Sequence, residues 1–512
     1  MVFLLLQSLL LWGFDMENSI YLILLLLSSF APAIIIFFLD EKSLFLRNFF
    51  NLSGIFIKVG LVFFLLYSVS NGMKFKFSYE IVDGINFVLK ADELSLLFAV
   101  LSSVLWLFTT IYAISYLKKS PHQGRFFGFF SLCVTATIGI AIAGNLFTFF
   151  IFYELLTLVT LPLIMHNQNQ ASKLAAISYL KYTIFGGIFF LIGLVGLHIL
   201  AGSSEFISGG YLAQIESENH LYLQILFVIL FIGVGVKAAI FPLHGWLPKA
   251  MAAPAPVSAL LHAVAVVKAG AFGVIRIVYE VYGIEFTNSL GLLWILMFVS
   301  IITILYGSIK AIMQIELKKV LAYSTISQVS YIILGVSLFG PIGTIGGIVH
   351  LVHQGIMKIT LFFCAGAYAK TYGIKELYQM NGMGEKMPLV SISFTIASLG
   401  MIGLPPIAGF VTKWYLGLGA LENGLWIVLV VIGVSSILNS IYFLPILYRI
   451  WFLKPIGLNP KIEKTSIFES RVLLVISPVI TALLSLMLGI FALSDFSALQ
   501  WVEHLVKLEY GK

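Results

Sequence analysis

Charge is what this chain has least of. Asp, Glu, Lys and Arg make up only 10% of its 512 residues, against about a quarter in a soluble globular domain. With 60% hydrophobic residues and a mean hydropathy of +1.04, that scarcity excludes a soluble fold and leaves no length for a sizeable soluble domain. Cysteine is scarce too. Cys133 and Cys364 both lie in apolar runs, which excludes a disulfide framework and a multi-cysteine metal or iron–sulfur site and leaves them as small core residues. There is no phosphate-cradling glycine loop and no dinucleotide fingerprint, so the chain drives nothing with ATP directly, has no visible redox or hydrolytic chemistry, and calls for no cofactor. No alternating ten-residue pattern occurs, which excludes a transmembrane barrel. The formal charge of +7 fits lysine and arginine gathered on the cytoplasmic side of a membrane, not a nucleic-acid partner.

What is present is a series of apolar runs of bilayer length. Reading runs of about 18 or more residues as spans places fourteen helices, centred near residues 30, 62, 105, 135, 155, 189, 232, 268, 300, 329, 356, 402, 438 and 482. The loops give a second count. Odd-numbered loops are mostly basic: LKKSPHQGR at 117–125, QASK at 170–173, the turn from Lys310 to Lys319, YAKTYGIKELY, and 454–471 with Lys454, Lys461, Lys464 and Arg471. Even-numbered loops are acidic or nearly uncharged; the one at 202–221 holds Glu205, Glu216 and Glu218 and no lysine or arginine. The alternation puts the basic loops inside and both termini outside. The opening MVFLLLQSLLLWGF lacks a basic n-region and a clear cleavage site, so it is a poor secretory signal. Residues 1–15 are either an interfacial segment or an upstream start artefact.

Two runs are interrupted. Lys237 stands just before Pro242 in GVKAAIFPLHGWLP, and Lys413 follows Pro405 and Pro406 in MIGLPPIAGFVTKW. Proline removes an amide donor and clashes with the preceding turn, so each helix should break there. Broken helices in corresponding positions of two halves point to an inverted-repeat transporter. The breaks fall in the seventh and twelfth spans, five apart, and the sixth and eleventh spans each carry an early lysine, in YLKYTIFGG and GIMKITLFF. The expected fold is an all-α integral membrane protein with about 14 transmembrane helices, two inverted five-helix repeats and two broken helices. Its division is an N-terminal segment at 1–19, helices 1–3 at 20–125, the first repeat at 126–280, the second at 281–453, and helix 14 with the tail at 454–512.

The candidate site residues are the few ionisable groups inside these runs. Glu154 stands alone in FTFFIFYELLTLVTLPLIM. A carboxylate at the middle of a membrane helix costs roughly 2.5–3.5 kcal/mol, so it needs a partner, water or a task. Lys181, Lys237, Lys268, Lys358 and Lys413 lie in comparable runs. A carboxylate with a lysine series reads as a charge-transfer path. The competing readings are a protonated, hydrogen-bonded Glu154 and lysines that snorkel to the interface, Lys181 above all because it is shallow. His262 and Lys268 share the eighth span six residues apart, about 240° around the helix, so they face different ways or line a path that bends. His350, His353 and Lys358 share the eleventh span; the two histidines are neighbours on one face. A metal pair or haem ligation would need further ligands, and this span offers none. Tyr153, Ser324, Thr325, Ser327, Gln328 and Thr360 are candidates to hold bridging water, or plain helix–helix glue.

The segment GVKAAIFPLHGWLPKAMAAPAPVSALLHAVAVVKAG closely resembles the proton-conducting antiporter-like subunits of respiratory complex I, of Mrp-type sodium/proton antiporters and of membrane-bound energy-converting hydrogenases. The resemblance runs over roughly residues 90 to 450. HLVHQGIMKITLFFCAG and the lysine in WLPK look most like the Mrp and hydrogenase branch, with the hydrogenase or sulfane-reductase type the favoured reading. It implies an essential glutamate on the fifth helix, matched by Glu154, and a lysine on the broken seventh, matched by Lys237. It also implies a central lysine or histidine on the eighth (Lys268, His262), polar residues on the eleventh (His350, His353, Lys358) and a charged residue on the twelfth (Lys413). The long lateral helix of some members has no counterpart after the last span. The implied function is proton translocation, with sodium as the other candidate ion. It would run through two half-channels joined by a Glu/Lys/His axis, beside other membrane subunits of a redox-driven complex in the cell membrane. A stand-alone antiporter and a non-conducting scaffold are the alternatives.

Overall fold

The computed structural model describes residues 16–118, 120–202, 205–215, 219–455 and 471–511. The segment at 1–15 and the loop residues Glu216, Glu218, Lys461 and Lys464 lie outside the described residues. Apolar composition drives the rest into helices, because a helix satisfies its own backbone inside lipid. These are α1 (Met16–Phe38), α2 (Leu44–Ser70), α3 (Glu93–Tyr116), α4 (Gln123–Ala141), α5 (Leu146–Ile164) and α6 (Gln170–Ala201). A broken α7 follows as α7a (His220–Ala238) and α7b (Trp246–Lys249), then α8 (Ala255–Tyr282), α9 (Leu292–Ile312), α10 (Leu317–Ser337) and α11 (Pro341–Tyr372). The second broken helix is α12a (Pro388–Ile402) with α12b (Ala408–Glu422), followed by α13 (Trp426–Phe452), α14 (Arg471–Ile490) and α15 (Ala498–Glu509).

Among the described residues thirteen helices are long and apolar enough to cross a membrane. The fourteenth crossing is α12, whose two halves are 15 residues each and too short alone. α8 and α11 form the centre: every residue of their most apolar windows is buried within the protein. Lys268 on α8 and Lys358 on α11, both fully buried, therefore face protein and cannot snorkel to lipid. α1, α2, α6, α9 and α13 form the rim and carry the exposed apolar side chains, such as Phe56, Ile188 and Trp294.

Two elements have no counterpart in the sequence reading. An antiparallel hairpin, β1 (Phe75–Val82) and β2 (Ile85–Ala91), joins α2 to α3. The tail forms the amphipathic helix α15, which packs on α3 and α11. α15 ends beside the acidic loop after α6. The Glu509 carboxylate accepts from Ser208 Oγ at 3.2 Å and from Gly209 N at 3.3 Å. Burial, with Glu280 adding to it, pushes the Glu509 carboxyl up to about 8. Hairpin, acidic loop and α15 thus share one face of the bundle, and the loops after α3, α5, α9 and α11 share the other.

Candidate functional site

Glu154 and Lys237 meet where α5 passes the first break. Asn145 starts α5, its side chain accepting from Thr148 N at 2.8 Å. α7a stops after Ala238, one residue past Lys237, where Ala239 turns into the left-handed region at φ 56°. The open backbone around Pro242 is held by neighbours. Phe241 N donates to Thr303 Oγ1 of α9 at 3.0 Å, and Trp246 Nε1 donates to Val236 O at 2.8 Å. Lys237 is 1% exposed, and its ammonium lies 3.9 Å from Glu154 Oε1 and 3.2 Å from the Tyr153 ring centre, donating to Tyr153 O. Gly187 on α6 makes room for the carboxylate: a Cβ there would stand 2.9 Å from Glu154 Oε1.

The next buried lysine is one helix away. A Cβ on Gly270 would lie 2.1 Å from Ala238 N, so α8 rests directly on the break. Lys268 is fully buried and donates to Leu351 O of α11 at 2.8 Å. His262 lies in a π-helical turn, Leu260–Val264, and its ring sits 4.5 Å from that of Phe362 on the same α11. A uniform α-helix would turn the two side chains apart; the wide turn changes the phase, and both reach α11 at levels eleven residues apart, roughly 16 Å. Both side chains therefore face α11. Neither ring nitrogen of His262, and neither amide atom of Gln354 on α11, has a hydrogen-bond partner among the described residues. Buried polar groups of this kind are the ones internal water serves.

The second half closes the series. His350 lies 5.6 Å from the Tyr331 ring, and His353 Nδ1 is 3.0 Å from Thr412 Oγ1, next to Lys413. Lys358 donates to Ser324 Oγ at 2.7 Å. Tyr442 OH of α13 donates to the same Ser324 Oγ at 2.8 Å and approaches Asn439 Oδ1 to 2.7 Å. Asn439 Nδ2 donates to Met401 O at 3.2 Å, and the next carbonyl, Ile402 O, accepts from Lys413 at 2.7 Å. Lys413 also donates to Ser436 Oγ at 2.7 Å. A line of polar groups therefore joins Lys358 to Lys413 beside Pro405 and Pro406.

Lys181 stands elsewhere. It is exposed and lines a cleft of about 960 Å³ on the basic-loop face, with Lys249, Glu316, Lys319 and Tyr323. It lies at the surface, away from the buried lysines. Thr360 donates to Thr481 of α14 at 2.8 Å, a helix–helix contact.

A buried ionic cluster at the opposite face is absent from the sequence reading. Arg276 of α8, fully buried, forks onto Asp92 (Nη1 to Oδ2 3.0 Å, Nη2 to Oδ1 2.9 Å), reaches Ser95 Oγ at 2.7 Å, and pairs with Glu280 one turn on. Asp92 precedes α3 and caps it, accepting from Ser95 N at 2.8 Å. Burial pushes the Asp92 carboxyl up, but Arg276 and Lys90 outweigh it and hold the group at about 2. Asp92 and Arg276 are 184 residues apart, so no sequence pattern could have joined them.

Comparison with known proteins agrees with this layout. Residues 143–439 match the family described as NADH:quinone oxidoreductase/Mrp antiporter, TM, and residues 82–127 match the N-terminus of complex I chain 5. The chain is 36% identical over 341 residues to NADH-quinone oxidoreductase subunit N of Desulforudis audaxviator, covering 65% of this chain and 66% of that one. It is 36% identical over 351 residues to a Staphylococcus aureus protein described as antiporter subunit mnhA2, covering 64% of this chain and 42% of that one. The aligned part thus spans less than two thirds of either relative. Two solved structures share the fold. The Mrp complex of a Dietzia species aligns with a TM-score of 0.82 at 23% identity over 96% of this chain and 98% of that one. The membrane-bound sulfane sulfur reductase, an archaeal respiratory complex, aligns with a TM-score of 0.83 at 22% identity over 96% and 97%. The family match spans more than half of the chain: this multi-pass membrane protein belongs to the NADH:quinone oxidoreductase/Mrp antiporter transmembrane family.

Proposed function

We propose that this chain carries protons across the cell membrane as one subunit of a larger redox-driven assembly. The observation that carries the reading is the placement of four buried lysines, Lys237, Lys268, Lys358 and Lys413, on adjoining helices at the centre, with Glu154 beside the first. Each ammonium rests on backbone carbonyls or hydroxyls, and only Lys237 has a carboxylate at hand among the described residues. Lone ammonium groups held this way are costly as structure and useful as carriers. The repeats at 126–280 and 281–453 each contribute one half-channel.

At 3.9 Å and an effective dielectric of 20, the attraction between Glu154 and Lys237 is roughly 4 kcal/mol. That is worth about three powers of ten in proton affinity. Closing the pair retains the lysine proton. Opening it passes the proton to Lys268, then along His350, His353 and Lys358 to Lys413. Redox work elsewhere in the assembly would open and close it.

The similarity to an antiporter subunit favours one rival, sodium/proton exchange by a stand-alone assembly. The test purifies the chain with its native subunits, identifies them, and reconstitutes the assembly in liposomes. One arm supplies redox substrates and the other an imposed sodium gradient, with interior pH read by a trapped dye. The proposal expects acidification with redox turnover and none with sodium alone. Sodium-driven exchange without redox turnover would establish the rival.

A further inference from the structure

Lys58 is as deeply buried as any lysine of the central line, yet it lies on α2, outside both repeats. It stands near the middle of α2. Its ammonium donates to Leu25 O of α1 at 2.9 Å and lies 5.6 Å from the Trp106 ring of α3. No ion pair among the described residues includes it. An uncompensated lysine at membrane depth marks a task by default.

The surroundings say which. Ser28 Oγ donates to the same Leu25 O at 2.8 Å. Its neighbour Ser29 is 2.8 Å from Thr135 Oγ1 on α4, Thr135 donates to Ser131 O, and Ser131 Oγ donates to Asn51 Oδ1 at 3.1 Å. Asn51 Nδ2 has no partner among the described residues. Arg47, Asn51 and Lys58 recur at helical spacing on one face of α2, and Gly54 between them lets α1 close in: a Cβ there would stand 2.4 Å from Ser28 O. At the basic-loop face the stripe ends on Arg47, which donates to Gln123 Oε1 at 2.7 Å, beside Glu41, whose carboxylate accepts from Gln123 N and Gly124 N.

On the other side of Lys58 stands α3. Trp106 Nε1 and the hydroxyls of Ser103 and Thr110, which share its face, have no partner among the described residues. The opposite side of α3 packs on α11: Leu101 lies 3.4 Å from a Cβ built on Gly355.

We propose that Lys58 is a proton-carrying site on a lateral branch, entering from the basic-loop face between α1, α2 and α4 and leading to the unpartnered polar groups of α3. The neutral amine takes a proton delivered along Asn51, Ser131, Thr135 and Ser28/Ser29. The ammonium then gives the same proton up toward Ser103 and Thr110 of α3. This inference rests on the proton-carrying reading of the central line.

The test reads redox-driven acidification in liposomes holding the assembled complex, for Lys58→Met, Lys58→Arg, the pair Asn51→Leu/Thr135→Val, and Lys237→Met. Both Lys58 variants should slow acidification at least tenfold. Arginine keeps the positive charge but does not release its proton, so a purely structural cation predicts wild-type behaviour for Lys58→Arg. The Asn51/Thr135 pair leaves Lys58 in place and should slow acidification severalfold. Normal rates for Lys58→Met or Lys58→Arg, with Lys237→Met inactive, overturn the branch alone. If the Lys58 variants do not assemble, a normal rate for the Asn51/Thr135 pair overturns it. Normal rates in all four overturn the central line as well.

Discussion

Lys237→Met abolishes redox-driven proton movement, by at least a hundredfold, while the assembly still forms. The expectation follows from position. Lys237 is where the carboxylate of α5, the break in α7 and the centre of α8 meet. Methionine has similar length and fills the same apolar slot against the Tyr153 ring, so packing is little disturbed. What is lost is the exchangeable proton and the attraction to Glu154. Glu154→Gln keeps the shape and removes the charge, so it should lose pumping to a similar extent. The check is acidification in reconstituted liposomes beside a native gel that reports assembly. Loss of assembly would make Lys237 structural; retained pumping in both variants would count against the pair.

Arg276→Ala unfolds or fails to assemble. The guanidinium is the only cation among the described residues in contact with Asp92, Glu280 and Ser95 together. Removing it leaves Glu280 buried without its cation and Asp92 with only the Lys90 cation, at 3.7 Å, among the described residues, a loss of about 3–5 kcal/mol. That is a large share of a typical net stability of roughly 5–15 kcal/mol. Arg276→Lys restores the charge but not the fork onto Asp92, and should fall between. Asp92, held at about 2, contributes stability above its unfolded value that is lost only as pH falls through about 2. Asp92's share of the penalty should therefore be nearly flat across neutral pH. Thermal unfolding in detergent measures it, and an alanine variant within about 1 kcal/mol of wild type would remove the cluster from the account.

Much of this was legible in the sequence because membranes impose simple rules. Apolar runs of bilayer length marked fourteen crossings, and prolines marked both breaks, since few other residues end a helix inside lipid. Glu154, Lys237, Lys268, Lys358 and Lys413 stood out against apolar neighbours, and the structure places all five at or beside the centre. The rest needed three dimensions. Lys181 looked like Lys358 by its spacing after the start of a span, yet α6 lies at the rim and α11 at the centre. The facing of His262 depends on a π turn that an assumed 3.6-residue period misses. Tyr442 and Asn439 read as ordinary polar residues of α13 until they appear between Ser324 and Met401. Lys58 was hidden by its own surroundings: FIKVGLVFF is apolar around one lysine, and nothing in the run tells a snorkelling lysine from one held under Trp106.

The central claim is that protons pass along linked polar groups, and the most direct measurement cuts the line without touching a charge. Tyr442→Phe combined with Asn439→Leu removes the links between Lys358 and Lys413 and leaves every lysine in place. Acidification per electron in reconstituted liposomes should fall at least tenfold while electron transfer and assembly persist. An unchanged proton yield per electron would contradict the line.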